Sequence, residues 1–193
     1  MDIDTPHGPA RAHVQPVPNA RATLVLGHGA GGGVSAPDLM AATRAALEGQ
    51  VSVALVEQPY LVAGRKSQAP AAQLDAAWIA AVERLRDGDR PLIVGGRSAG
   101  ARVACRTAAA TGAAAVLCLA FPVHPPGKPE KTRLAELDAV HVPVLVVQGE
   151  RDPFGMPPDG PNRTVVHVSG DHGLKADLAA VAAAVRDWLP AVV

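Results

Sequence analysis

Aromatic residues are scarce in this chain: two Trp, two Phe and one Tyr make up 3% of 193 residues. With an excess of alanine and few large rings, the core is expected to form by close packing of helices on a sheet. A charge of one sign is also missing. Eighteen Lys and Arg balance eighteen Asp and Glu, which argues against a nucleic-acid or anionic-membrane footprint. Long apolar runs are absent. The longest, Ala113 to Phe121, covers nine residues, too few to span a bilayer. Only two cysteines occur, Cys105 and Cys118. Neither has metal-ligand or CxxC spacing, so both read as buried free thiols. There is no GxxxxGK[ST] phosphate loop and no metal motif. The segment Met1-Asp2-Ile3-Asp4 is acidic and lacks an apolar signal region. The expectation is a cytoplasmic protein, a single domain over residues 1–193, needing no cofactor or metal, binding neither nucleic acid nor membrane, monomeric or homodimeric.

What is present is an alternation of apolar strand-like runs with helical periodicity. Residues 1–20 read as an irregular segment in which Ala10 to Val17 forms one edge strand. Strands follow at Thr23–Leu26, Val51–Val56, Leu92–Val94, Ala114–Ala120, Val144–Val147 and Thr164–Val168. Helices are expected from Ser35, as cap, to Glu48, and over Gln73–Arg86, Ser98–Ala110 and Ala176–Leu189, with a short one near Arg133–Leu137. Apolar strands alternating with helices indicate a mostly parallel, doubly wound α/β sheet covered on both faces.

The chain is organised around Gly96-Arg97-Ser98-Ala99-Gly100, between the 92–94 strand and an alanine-rich helix. This is the nucleophile-elbow pattern, a sharp strand-to-helix turn with serine at its apex. Five serines and 19 glycines give about 0.05 chance matches, so the pattern is specific. A serine hydroxyl needs a histidine base and an acid that orients it. On a doubly wound sheet these come from loops at the carboxyl ends of strands. The loop after the 144–147 strand offers Asp152, with Glu150 as competitor; the loop after the last strand offers His172. The order Ser98, Asp152, His172 is that of α/β-hydrolases. A tetrahedral oxyanion needs two backbone N–H donors. One is expected from Ala99, the other from the loop Gly27-His28-Gly29-Ala30-Gly31-Gly32-Gly33, at Ala30 or alternatively Gly31.

With these four motifs in view, the chain resembles small, lidless members of the α/β-hydrolase superfamily. It is similar to the dienelactone-hydrolase-like or testis-expressed-protein-like group. The motifs that carry the resemblance frame nearly all of the chain from Thr23 on: Gly27-His28-Gly29-Ala30-Gly31-Gly32, Gly96-Arg97-Ser98-Ala99-Gly100, Gly149-Glu150-Arg151-Asp152 and Gly170-Asp171-His172-Gly173. The resemblance implies an α/β-hydrolase fold whose sheet is reduced here to six or seven strands. It also implies cofactor-free hydrolysis of an ester or related acyl bond. Dienelactone hydrolases proper use a cysteine nucleophile, and this chain has serine.

The interval Phe121 to Pro143 is too short for a lid domain, so an open, shallow site is expected. Arg65 and Lys66 are candidates for attracting a carboxylate or phosphate on the substrate, the alternative being a solvated loop pair. Arg97 carries the same two readings. Phe121, Phe154 and Met156 are candidate apolar walls, and His124 a candidate pocket residue. Two rival readings exist. One is a hydrolase fold used only for binding. The other is a dinucleotide site on Gly27-x-Gly29-x-x-Gly32, with Glu57 as the ribose acid.

Overall fold

The computed structural model describes residues 1–193. Eight strands form one sheet: β1 Asp2–Ile3, β2 Ala10–Gln15, β3 Ala22–Gly27, β4 Val51–Glu57, β5 Leu92–Arg97, β6 Ala115–Leu119, β7 Val144–Gly149 and β8 Arg163–Val168. Their spatial order is β1-β2-β4-β3-β5-β6-β7-β8. The pairs β1–β2 and β2–β4 are antiparallel, and every other pair is parallel. The expected six or seven strands are therefore eight. The strand missed is β1, whose two residues carry no periodicity. It forms because Ile3 is buried in the core and the Met1 ammonium donates to the Ala12 carbonyl at 2.7 Å.

Six helices cover the sheet: α1 Pro37–Glu48, α2 Pro59–Val62, α3 Ala71–Leu85, α4 Ala99–Thr107, α5 Leu134–Asp138 and α6 Leu178–Trp188. Neighbouring strand residues face opposite layers. Val25, Val94, Val116 and Val146 pack with Trp78 and Val82 of α3 and Val103 and Ala104 of α4. Leu24, Leu26, Ile93, Leu117 and Leu145 pack with Leu39 and Ala42 of α1 and Val181 and Val185 of α6. Alanines line the inner faces of these helices, which lets them lie close to the sheet.

The start of α1 differs from expectation. Ala36, not Ser35, holds the cap position, and its side chain cannot cap. The Asp38 carboxylate serves the first turn instead, accepting the Leu39 N–H at 3.0 Å at the positive end of the helix dipole. The loop after β4 contains a turn of helix, α2, that its sequence did not announce.

Register places the functional loops. Gly27 at the end of β3 lies directly beside Gly96 in β5, and Gly149 at the end of β7 lies beside Val168 at the end of β8. From β3 the chain moves outward to β4, then crosses back to β5. That reversal opens a crevice at the carboxyl ends of β3 and β5, where α/β sheets bind ligands. Only α5 interrupts the connection from β6 to β7. No lid domain covers this edge, and no helix is long and apolar enough to cross a membrane.

Candidate active site

Ser98 sits between β5 and α4 with φ 52° and ψ −108°, a region that L residues rarely adopt. The surroundings hold it there. Its N–H donates to the Leu119 carbonyl at 2.9 Å, tying the turn to β6. A Cβ on Gly96 or on Gly100 would lie 2.5 Å from the Gly27 carbonyl oxygen. One backbone oxygen, fixed in the sheet, thus demands glycine on both sides of the serine. Gly100→Ala is expected to cost about 3 kcal/mol or more, since neither β3 nor α4 can give way. Thermal and urea unfolding would measure it, and a loss below about 1 kcal/mol would show that the turn relaxes.

Asp152, in the loop after β7, and His172, in the loop after β8, meet Ser98 although they lie on separate segments. His172 Nε2 is 2.9 Å from Ser98 Oγ, and His172 Nδ1 is 2.8 Å from Asp152 Oδ2. The Asp152 side chain is fully buried. Its Oδ2 also accepts from Gln148 Nε2 at 2.8 Å, and its Oδ1 accepts from the Phe154 N–H at 2.8 Å. With both oxygens engaged, the carboxylate presents one lone pair to Nδ1–H. That assigns the proton of neutral His172 to Nδ1 and leaves Nε2 free to accept from the serine. The Phe154 ring stacks on the imidazole at 4.0 Å between centroids, which limits ring rotation.

Sequence reasoning missed Gln148. It is fully buried at the end of β7, and its amide also faces the carbonyls of Phe121 at 3.1 Å and Gly155 at 2.9 Å. The available signal was a polar residue closing the apolar run Val144–Val147. The role of Arg97 was likewise hidden. Its Nε ion-pairs with buried Asp38 at 2.9 Å, and its Nη2 donates to the His172 carbonyl at 3.1 Å. Arg97 thereby ties the histidine loop to α1. Burial pushes the Asp38 carboxyl upward, and the Arg97 guanidinium opposes that shift.

The glycine loop after β3 is pinned from below. His28 is buried. Its Nδ1–H donates to the Gly29 carbonyl at 2.8 Å, and its Nε2 accepts the Gln58 N–H at 3.0 Å. Tyr60, the one tyrosine of the chain, donates its hydroxyl to the Ala30 carbonyl at 3.2 Å. The N–H groups of Ala30 and Gly31 have no acceptor within the chain. Ala99, as first residue of α4, likewise has an N–H without an intrahelical partner. All three residues line one cleft of about 330 Å³ with Ser98 and His172.

Burial holds the His28 imidazole below its ordinary value of 6.5, because a charged ring there would be desolvated. The unfolded chain then binds a proton more readily than the folded one. Stability from this group is complete above pH 6.5 and is lost as pH falls below it. In His28→Gln, whose amide oxygen can accept the Gln58 N–H without titrating, the fall in unfolding free energy from pH 7 to pH 5 is expected to be smaller than in the wild type. Equal slopes in urea titrations at the two pH values would remove His28 as the cause.

Five expected substrate contacts are corrected. Phe121 is fully buried in the core, and only its carbonyl approaches the site. His124 does not line the cleft. It packs against Gly155, donates Nδ1–H to the Pro125 carbonyl at 2.9 Å, and its N–H holds the Phe154 carbonyl at 3.0 Å. Arg65 and Lys66 are exposed and outside the cleft, because α2 turns Tyr60 inward and the following residues into solvent. From that loop Gln68 reaches the cleft instead. Phe154 does line it, whereas Met156 does not. Cys105 and Cys118 are buried and free, with their Sγ atoms 3.5 Å apart.

A family model described as an alpha/beta hydrolase domain matches residues 20–179. No curated protein matches the chain. Solved structures share the fold at low identity. XC6422 from Xanthomonas campestris, described as an a/b serine hydrolase without lid, is 22% identical with a TM-score of 0.74, covering 98% of this chain and 94% of that one. Dienelactone hydrolase from Anabaena variabilis is 15% identical with a TM-score of 0.78, covering 100% and 96%. The esterase Pf2001 from Pyrococcus furiosus is 15% identical with a TM-score of 0.77, covering 99% and 88%. The matched span runs from β3 to the start of α6 and includes the elbow and both partner loops, so the chain belongs to the alpha/beta hydrolase family.

Proposed function

We propose that the protein is a serine hydrolase that cleaves an ester or related acyl bond of a small substrate through an acyl-enzyme. The single observation carrying this reading is the hydrogen-bonded series Ser98 Oγ–His172–Asp152, with distances of 2.9 and 2.8 Å, drawn from three separate loops. Ser98 Oγ attacks the acyl carbonyl while His172 Nε2 takes the hydroxyl proton. The buried Asp152 carboxylate keeps the Nδ1 proton in place and stabilises the imidazolium. The developing oxyanion is received by the N–H of Ala99 and by that of Ala30 or Gly31. His172 then gives its proton to the leaving group. A water, activated by the same imidazole, releases the acid and restores the serine. The names serine hydrolase and esterase belong to the structural relatives; this reading rests on the geometry of the present site.

A fluorophosphonate probe tests it. Intact mass is expected to show one adduct on the wild type and none on Ser98→Ala. Absence of an adduct from both would favour a binding role for this hydrolase fold. The dinucleotide alternative lacks geometric support. Gly32 lies five residues before α1, and that helix opens with Pro37, which has no N–H to offer a pyrophosphate. The glycine loop instead flanks Ser98.

A further inference from the structure

Three arginines, Arg97, Arg102 and Arg133, line the Ser98 cleft. Two of them are matched by carboxylates. Arg97 pairs with Asp38 at 2.9 Å, and Arg102 spans both oxygens of Glu136 at 2.8 and 2.5 Å. Behind them Arg106 takes Asp75 at 2.6 Å and shares Glu136 at 3.3 Å. Arg133 has no ion-pair partner and its guanidinium donates to no acceptor in the chain, although the residue is only partly exposed. Its backbone is anchored at the cleft, with its N–H on the Val123 carbonyl at 2.7 Å.

This arrangement is unfavourable for the cation. Burial lowers its proton affinity, the neighbouring Arg102 charge lowers it further, and Glu136, already committed to two other arginines, offsets only part. A partly desolvated guanidinium without a counter-ion is relieved when an anion enters. Gln68, whose side-chain amide is a potential donor, lines the same cleft. The Asp152 carboxylate, hydrogen-bonded to His172, is fully buried and held by three N–H donors, so it stands back from an incoming anion.

Resting on the hydrolase reading of Ser98, we propose that Arg133 is a specificity residue that receives a carboxylate or phosphate borne by the substrate, so that the preferred substrates are anionic esters. Arg102, with its fork occupied by Glu136, cannot take this part. The anion subsite expected from sequence at Arg65 and Lys66 thus moves across the cleft to the connection between β6 and β7.

The test compares mono-p-nitrophenyl glutarate with p-nitrophenyl valerate, acyl chains of equal length that differ by a terminal carboxylate. The ratio of their kcat/KM values is expected to fall about 10- to 100-fold in Arg133→Gln, mostly through KM, and to recover in part in Arg133→Lys. A parallel NMR titration with glutarate uses Ser98→Ala and Ser98→Ala/Arg133→Gln, so that binding is read without turnover. If valerate is hydrolysed while both the ratio and glutarate binding ignore Arg133, the anion subsite is refuted and the hydrolase reading stands. If neither ester is turned over but glutarate binding depends on Arg133, the subsite stands and the hydrolase reading falls. Loss of both signals overturns both.

Discussion

Ser98→Ala is expected to lower kcat on an activated ester by about 10⁴- to 10⁶-fold while leaving unfolding free energy within about 1 kcal/mol of wild type. The two halves of this expectation have separate causes. Removing Oγ removes the atom that the proposed mechanism bonds to the acyl group. No other nucleophile stands within reach, since Cys105 and Cys118 are buried away from the cleft, with the Cys105 thiol held protonated by its hydrogen bond to Cys118 and by burial. The strained backbone at residue 98 persists, because Gly27, Gly96, Gly100 and Leu119 impose it, and alanine carries the same Cβ as serine. For stability, the substitution removes only the 2.9 Å hydrogen bond to His172, which lies in a partly exposed cleft. Stopped-flow ester hydrolysis and urea unfolding check the two halves. Activity within tenfold of wild type would place the nucleophile elsewhere.

Asp152→Asn carries the second largest expected effect, a loss of about 10⁴-fold in kcat. Both carboxylate oxygens accept N–H donors: Phe154 N–H on Oδ1, and Gln148 Nε2 with His172 Nδ1 on Oδ2. An asparagine must point its NH₂ at one of these sides. Facing Phe154, it opposes a backbone donor that cannot turn. Facing Oδ2's partners, it donates to His172 Nδ1, which drives the imidazole proton to Nε2. In that tautomer His172 cannot accept the proton of Ser98. Gln148 cannot adapt by flipping, because its NH₂ also serves the carbonyls of Phe121 and Gly155. The variant is therefore expected to lose about 1–3 kcal/mol of stability as well as activity. Nitrogen-15 shifts of His172 report the tautomer directly. An unchanged Nδ1–H signal together with low kcat would mean that the carboxylate acts by charge, not by orientation.

Much of the architecture was legible in residue order. Apolar strands without alternation implied a sheet covered on both faces, and the two layers packed on alternate residues of Leu24–Leu26 realise that pattern. The elbow was legible because Gly96-x-Ser98-x-Gly100 joins a strand to a helix and because few residues other than glycine can flank so tight a turn. Asp152 and His172 followed from a topological rule: in a parallel sheet, loops after consecutive strands emerge at one edge. These features are local, or follow from connectivity, and linear pattern is sufficient for both.

The remainder depended on three-dimensional neighbours. Gln148 became an orienting group only through the approach of Asp152, Phe121 and Gly155. Arg97 is a brace between α1 and the His172 loop, a role set by Asp38, fifty-nine positions away in the chain. Phe121 and His124 were displaced from the cleft, and Arg65 and Lys66 left outside it, because the rotation of a loop side chain is decided by its packing partners and leaves no trace in spacing. Arg133 stands alone for the same reason: whether a cation is paired depends on where carboxylates from other segments come to rest. Sequence alone pointed to the three residues that meet at Ser98 and to the edge of the sheet that presents them, since sterics and chain connectivity act locally. Tertiary structure decided what orients those residues and which charge is left for a ligand, since hydrogen bonds and ion pairs form between groups that only the fold brings together.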